Sequence, residues 1–522
     1  MSTGGTGTPD VAGEVPRGDP VARGRHRLWR NLRIAGLVVV GAQLAVSLAL
    51  ATFLFHRFHL IEDFGIFNQA WTLIGQGHLN PYNSIYGFPF YKSHFELIMW
   101  PLALTHLVYA QPVVLLWFQA LTAGAAELVV FFWILEHLER REVPQRVVLP
   151  IGCAVLALIL VNPLLWSTVS FDFHFESTAT LFAVLAARAL YRERFAMAWI
   201  WIAMTLLCGD VAALYVVGIG LSALVAGPTT RRQGLLAVVA GGAWLAMISA
   251  IGANLGSSVN DYAYLAGRTT LPAGGGALVL VVVGSLAHPV RVVHVVSPRL
   301  HALWDVIEPA GVIGLASAWG FGVPLVVLIS SVLNSSNVYI MSPFQNFAVF
   351  PFLLFGTVSV LVWLAMRLRS QWTIPAVVGA VLLLVAVVTG VNSSRAVVQA
   401  AVDDGPTASQ AAVLRSVLQQ TPGDAEVAAS LRVVGRFSSR QFVYVIEPST
   451  QAIPVSARDL VVVLGVTSGI DATSSDRAGA VIGSLTHDRL PVQVLAASDG
   501  IYAVRVSVPK GISQVDLPGA VP

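Results

Sequence analysis

The sequence predicts an all-α polytopic membrane protein with a small α/β domain at its C-terminus. Apolar side chains make up 56% of the 522 residues and charged side chains only 11%, whereas a soluble domain carries about 25% charged residues. Because a water-facing surface needs charge to remain dispersed, this composition excludes a soluble enzyme, a nucleic-acid-binding protein and a disordered scaffold. Lipid requires each backbone hydrogen bond to close within its own segment, which favours helices.

About 11 apolar runs are candidates for membrane segments, because a full crossing takes about 20 residues. The runs are 34–55, 111–135, 147–166, 177–191, 196–208, 211–226, 234–252, 276–296, 305–333, 342–366 and 372–391. The fourth, fifth and sixth are short, and short or broken helices are tolerated at membrane depth where they face protein or a water-filled cavity. They therefore indicate an internal site. The run 276–296 is interrupted at His288 and Pro289 and has an alternative interpretation as an interfacial helix.

The arginines predict the orientation, because cytoplasmic loops are rich in basic residues. Arginines precede the first apolar run and recur at 140–146, 188–194, 231–232 and 367–369. The N-terminus is therefore expected in the cytoplasm, and an odd number of crossings places the C-terminal domain outside. We expect a multi-pass protein of the cytoplasmic (inner) membrane.

Three regions are predicted. Residues 1–31 form a disordered basic cytoplasmic tail, residues 32–394 form the transmembrane domain with a first outer loop at 56–110, and residues 395–522 form the extracytoplasmic α/β domain. In the last region, Ala408–Gln420 has helical periodicity. Short β-rich segments separated by Gly, Asp and Pro turns follow that helix. They are Ala425–Ala429, Leu460–Leu464, Val492–Ala496 and Ile501–Val506.

The first outer loop holds two adjacent acids followed by an amide pair. Glu62 and Asp63 open a short amphipathic helix, and Asn68 and Gln69 follow. Acids at a helix N-terminus serve as caps and favourable dipole partners. The alternative is that the two acids are functional, with Asp63 the stronger candidate for catalysis.

The same loop ends in Lys92-Ser93-His94-Phe95-Glu96. A cation at this interface is suited to neutralise a phosphate leaving group. The alternative for Lys92 is an interfacial anchor that extends its amine to water. The apolar stretch 97–109 that follows must be interfacial, because a further crossing there would break the pairing of crossings that the arginines predict.

Further polar residues lie in later outer segments. In the string Asp172-Phe173-His174-Phe175-Glu176, extended backbone would place all three polar side chains on one face. Such a face suits a divalent metal or acid–base chemistry, although it also suits a loop that stabilises a helix entry. Asp210 lies between two short apolar helices, and an ionisable residue in that position is a functional candidate. Arg268 lies in another polar outer segment.

The chain resembles the membrane proteins of domain-of-unknown-function family 2079. The resemblance rests on the string from Asp63 to Trp71, Ser93–Glu96, the 172–176 string, Tyr262–Gly267, Ser342–Pro351 and Ala425–Tyr444. That family is similar in organisation to the GT-C glycosyltransferases, which transfer sugars from polyprenyl-phosphate carriers.

The resemblance implies an inverting glycosyltransferase that moves a sugar from a polyprenyl-phosphate carrier to a glycan, lipid or protein acceptor on the outer face. Asp63 matches the catalytic acid of that class. The other polar residues named above would bind substrate, and a divalent cation would sit at Asp172, His174 and Glu176 if one is used. The alternative is a transporter or lipid-handling scaffold that uses the same polar cavity.

One departure from the family pattern affects the phosphate. Relatives commonly carry a lysine before the acid where this chain has Cys208-Gly209-Asp210. Any phosphate contact must then come from another cation, and Lys92, Arg268 and Arg291 are the candidates.

Overall fold

The computed structural model describes residues 20–251, 261–271, 276–335, 343–367, 373–403, 405–447, 449–465, 475–487 and 490–517. The helices are α1 Pro20–His56, α2 Glu62–Gly75, α3 Phe90–Ser93, α4 Met99–Ala103, α5 Val113–Arg140, α6 Gln145–Leu160, α7 Pro163–Ser170, α8 Glu176–Tyr191, α9 Phe195–Leu206, α10 Asp210–Ala226, α11 Pro228–Ala250, α12 Gly276–Ala287, α13 Pro289–Val296, α14 Leu300–Ile307, α15 Gly322–Leu333, α16 Pro343–Asn346, α17 Val349–Arg367, α18 Thr373–Asp403, α19 Ala408–Gln420 and α20 Ser475–His487.

Within these ranges, five helical segments are long and apolar enough to cross a membrane. They are His26–His56, Val113–Arg140, Gln145–Ser170, Pro228–Ala250 and Val349–Arg367. A sixth is possible if Val279–Ala287 and Pro289–Ala310, which meet at 93°, form one broken span. The predicted number of about 11 membrane segments is not confirmed, because several of the predicted runs form helices too short to cross.

The helix bounds differ from the predicted regions at two places. Helix α1 begins at Pro20, so part of the predicted disordered tail 1–31 is helical. Arginine is a good helix former, so the basic stretch and the apolar run that follows it form one continuous helix. Helix α18 runs through residue 394, where the transmembrane region was expected to end. The predicted tail before residue 20 lies outside the described residues.

The C-terminal region contains a five-stranded sheet, as the β-rich segments predict. The strands of the whole chain are β1 Tyr82–Asn83, β2 Phe88–Pro89, β3 Glu426–Ser430, β4 Val443–Ile446, β5 Ala452–Pro454, β6 Asp459–Gly465, β7 Val492–Ser498, β8 Ile501–Ser507 and β9 Gln514–Asp516. The sheet order is β4-β3-β6-β8-β7. Strand β3 is parallel to β4 and β6, whereas β8 is antiparallel to β6 and β7. The pair β1–β2 lies in the first outer loop.

Helices cover both faces of this sheet. Leu414 of α19 packs with Val461 and Val463, whereas Val481 of α20 packs with Leu460 and Val462. Successive strand residues point to opposite faces, so each face of β6 is apolar and needs its own helix.

The sheet domain packs directly on the end of α1 and the start of α2. Arg436 donates to the carbonyl of Phe55 at 2.8 Å, and its guanidinium lies over the rings of Phe55 and Phe58. Phe58 is buried in the core that the domain forms with α19. A Cβ at Gly435 would lie 2.7 Å from the carbonyl oxygen of Leu60, so glycine is required for this close approach.

Candidate active site

The loop between α7 and α8 supplies the acid that caps a different helix. The Asp172 carboxylate accepts hydrogen bonds from the backbone N–H groups of Ile61, at 3.2 Å to both oxygens, and of Phe64, at 2.8 Å. The first N–H groups of a helix have no partner within the helix. Asp172 therefore fixes the start of α2, which is the helix that carries Asp63.

The Asp172 side chain is buried, with 3% exposure. Burial, followed by the charge of Asp63, raises the pKa of Asp172 well above its ordinary value, although the hydrogen bonds from Phe64 and Ile61 act in the opposite direction. A carboxyl in this setting stabilises the helix start rather than remaining open to a ligand.

Asp63 faces His174 of the loop between α7 and α8. Its Oδ2 atom lies 3.6 Å from Nε2 of His174, and the side chains are 29% and 12% exposed. Nδ1 of His174 lies 3.3 Å from the carbonyl oxygen of Asp172. A carbonyl only accepts, so this contact favours a proton on Nδ1 and directs Nε2 towards Asp63.

A glutamine of α5 holds this loop in place. Gln119 donates to the carbonyls of Thr168 at 2.7 Å and Asp172 at 3.1 Å, and its Oε1 accepts from the N–H of His174 at 2.6 Å. The side chain is 1% exposed. Sequence reasoning did not select Gln119. The available signal was a lone amide within the apolar run 111–135.

Phe67 joins the two histidines of the site. Its ring centroid lies 5.1 Å from that of His94 and 5.7 Å from that of His174. The His94 ring also stacks on Tyr86 and Phe90. Burial, followed by the charge of His174, lowers the pKa of His94 to about 3, so the ring is neutral at physiological pH. Phe67 therefore links His94 to His174, which in turn faces Asp63.

Glu96 packs against Gly209, in the short segment that separates α9 from α10. Gly209 has a φ of +115°, and a Cβ placed there would lie 3.1 Å from Cγ of Glu96. The N–H of Ile98 donates to the carbonyl of Leu207 at 3.0 Å, which joins the two segments. Burial, followed by the charge of Asp210, raises the pKa of Glu96 well above its ordinary value. Only a residue without a side chain fits this approach.

The remaining acids lie close to the same point. Glu176 lies within electrostatic reach of His174, Asp210 and Asp63, and the Asp210 carboxylate accepts from the N–H of Val211 at 2.9 Å in the first turn of α10. We call the following set the acidic cluster: Asp63, His94, Glu96, Asp172, His174, Glu176 and Asp210.

The predicted common face of the 172–176 string does not form. Helix α8 begins at Glu176, so the extended alternation ends there. The Asp172 carboxylate binds the start of α2, whereas His174 faces Asp63. Among the side chains that the structure describes, no three His, Cys, Asp or Glu groups are arranged to hold a metal ion.

Asn68 and Gln69 bind the C-terminal domain. Asn68 Nδ2 donates to Ser438 Oγ at 2.8 Å, and Gln69 Nε2 donates to the carbonyl of Gln441 at 2.9 Å. Gln69 also makes two hydrogen bonds with Ser84. Its Nε2 donates to Ser84 Oγ at 2.9 Å, and its Oε1 accepts from the N–H of Ser84 at 3.0 Å. Both amides are fully buried. Their hydrogen bonds hold the domain on α2.

The predicted cations lie on the surface. Lys92 is exposed, with its amine 5.8 Å from the ring centroid of Phe88. Arg268 is exposed after a short 3-10 helix, and Arg291 contacts the carbonyl of Tyr264 at 3.5 Å. Glu62 is half-buried, and its charge contributes to the raised pKa of Asp172.

The fold and the acidic cluster define a multi-pass helical membrane protein whose polar residues gather beside a folded α/β domain. Residues 62–465 match the model of the family described as predicted membrane protein (DUF2079). The match covers most of the chain, and the protein belongs to this family.

The chain is also similar to the crystal structure of ArnT from Cupriavidus metallidurans bound to undecaprenyl phosphate. The sequence identity is 13% and the TM-score is 0.47, with 90% of this chain and 98% of that chain covered. No protein with a curated description matches the chain.

Proposed function

We propose that the protein is a membrane glycosyltransferase of GT-C architecture, which moves a sugar from a polyprenyl-phosphate carrier to an acceptor on the outer face of the cytoplasmic membrane. The observation that carries the proposal is the contact of 3.6 Å between Asp63 and His174 within the acidic cluster. Asp63 is partly exposed, as a group that meets a substrate must be, and its helix is fixed by Asp172.

Asp63 acts as the general base in this proposal. Its carboxylate removes the proton of the acceptor hydroxyl, whose oxygen then attacks the anomeric carbon. The bond from that carbon to the phosphate oxygen breaks, and the polyprenyl phosphate leaves with the electron pair. A single displacement inverts the anomeric centre. His174 orients Asp63, and once Asp63 has taken up the proton its neutral carboxyl faces Nε2 of His174, which can accept a hydrogen bond from it.

The other members of the cluster have distinct parts in the proposal. Glu176 and Asp210 bind hydroxyl groups of the sugar or the acceptor, because carboxylates accept hydrogen bonds from them. Lys92 and Arg268 are the cations proposed to meet the leaving phosphate, to which they contribute charge. The broken helices around Gly209 form the groove for the prenyl chain. The C-terminal domain contributes to acceptor recognition.

The test is sugar release by the purified full-length protein from a panel of polyprenyl-phosphate sugars, with and without a chelator. Asp63→Asn should lower the release rate by about 10²–10⁴-fold, which is the usual contribution of a general base. Asp424→Asn is the matched control, because it makes the same chemical change at an exposed turn of the C-terminal domain. Full activity of the Asp63→Asn protein, at an unchanged Tm, would exclude this assignment.

One observation favours the alternative of a transporter. Glu127 lies within the span of α5 with 0% exposure, and its Oε1 accepts from Asn162 Nδ2 at 2.8 Å. Ionisable residues inside spans are common along transport pathways. The transporter function would be favoured if the protein transports a solute without releasing sugar, and if Glu127→Gln abolishes that transport whereas Asp63→Asn leaves it intact.

A further inference from the structure

Arginines of three helices gather at the end of the bundle remote from the acidic cluster. They surround a cavity of about 570 Å³, a volume typical of small-molecule sites. We call the charged residues of its wall the arginine cluster: Arg33, Arg140, Arg188, Arg192, Glu136 and Glu139.

The cluster is not electrically balanced. Four arginines face two glutamates, which gives the charged wall a formal charge of +2. Glu139 pairs with Arg33 at 3.6 Å, and this pair is neutral. The excess arises around Glu136, because three guanidinium groups share that one carboxylate.

The contacts of Glu136 define this excess. Arg192 lies 2.6 Å from Oε2, Arg140 lies 3.0 Å from Oε1, and Arg188 lies 3.2 Å from Oε2. One carboxylate neutralises one guanidinium, so the other two repel each other unless a further anion is present. Arginine presents several N–H donors in a planar fork that matches the oxygens of phosphate.

The position of the cluster indicates the source of the anion. Helix α5 is long and apolar enough to cross a membrane. Its Gln119 holds the loop that carries Asp172 and His174, and the helix ends at Arg140, about 31 Å further along at 1.5 Å per residue. The hydrocarbon core of a bilayer is about 30 Å thick, so the arginine cluster lies near the opposite interface. Ile34 and Leu37, next to Arg33 on α1, are 51% and 52% exposed, as lipid-facing side chains would be.

We propose that the arginine cluster binds the phosphate of an anionic phospholipid headgroup from the leaflet that the arginine-rich loops predict to be cytoplasmic. The headgroup phosphate, a diester with one negative charge, would occupy the cavity, accept hydrogen bonds from the guanidinium groups and neutralise one of the two excess positive charges. The acyl chains would lie along the exposed apolar side of α1. Basic pockets between helices on the cytoplasmic side are suited to anionic headgroups. The site is independent of the sugar transfer proposed above.

The test is native mass spectrometry of the full-length protein with dioleoylphosphatidylglycerol, dioleoylphosphatidylcholine or inorganic phosphate. The phosphatidylglycerol adduct should be retained in preference to phosphatidylcholine. Arg33→Gln leaves the charge of Glu139 without its partner in the cavity wall. It should therefore weaken phosphatidylglycerol binding by about fivefold, since each unit charge near a membrane surface contributes about 1 kcal/mol. Arg231→Gln is the matched control, because Arg231 is an exposed arginine of α11 outside the cavity.

Glu139→Gln gives a result of opposite sign that misfolding cannot imitate. It removes a negative charge from the cavity wall and should strengthen phosphatidylglycerol binding by a few-fold. Equal binding of the two lipids, or equal effects of Arg33→Gln and Arg231→Gln, would overturn the proposal. Inorganic phosphate that binds as tightly as phosphatidylglycerol would overturn the lipid as the source.

Discussion

The carboxylates that lie near the two ends of α8 are in opposite electrostatic settings. At the arginine cluster, Glu136 is held by three guanidinium groups. At the acidic cluster, Asp63 faces His174, and further acids lie near this pair. Carboxylates are therefore surrounded by cations at one end, whereas carboxyls lie beside one another at the other.

This difference separates binding from chemistry. An arginine stays protonated at any physiological pH, so the arginine cluster holds a constant charge and is suited to bind an anion. The acidic cluster contains buried carboxyls, among them Glu96 and Asp172, whose pKa values are raised. Perturbed pKa values in one cluster are typical of sites that transfer protons.

The largest effect on stability is expected at the arginine cluster. Glu136→Gln removes the carboxylate that three arginines share, so their mutual repulsion is no longer offset. We expect a loss of about 2 kcal/mol, less than for a fully buried pair because the arginines are partly exposed. Thermal unfolding in detergent measures it, and 0.5 M NaCl should reduce the loss by screening. A Tm equal to that of the wild type would show that Glu136 does not offset repulsion among these arginines, and would contradict the electrostatic difference between the two clusters.

A smaller effect is expected where α2 meets the C-terminal domain. Asn68→Ala removes the hydrogen bond to Ser438 and should weaken docking by about 1–2 kcal/mol. Limited proteolysis should then cleave residues 56–110 or the segment after α18 faster than in the wild type. Sugar release lost without faster cleavage would instead support the predicted substrate-binding role of Asn68.

The smallest effect depends on pH. The pKa of Glu96 is raised in the folded protein, so its contribution to stability is present below its ordinary value of 4.5 and is lost as the pH rises through the raised value. Glu96→Gln cannot ionise and should raise the Tm at pH 8 by about 2 °C, with little change at pH 5. His94 is present in both proteins, so the difference between their Tm values reports the ionisation of Glu96. A difference that shrinks as the pH rises would show that Glu96 is stabilised as an anion.

The sequence predicted the elements with a clear hydrophobic pattern. The helix Ala408–Gln420 and the strands near 425–429, 460–464, 492–496 and 501–506 are confirmed, because short β-rich runs bounded by turn residues mark strands. Apolar runs alone did not give the number of spans, since a run of apolar residues does not show whether its helix crosses, bends or ends within the bundle.

The composition by itself determined that the protein resides in a membrane, and the order of the strings 63–71, 93–96 and 172–176 determined its family. Only the tertiary structure decided what each polar residue does. It assigned Asp172 to the start of α2, Asn68 and Gln69 to the C-terminal domain, and Asp63 to His174. The physical reason is that a hydrogen bond depends on which partner lies within about 3 Å, and those partners lie up to 372 positions away in the sequence.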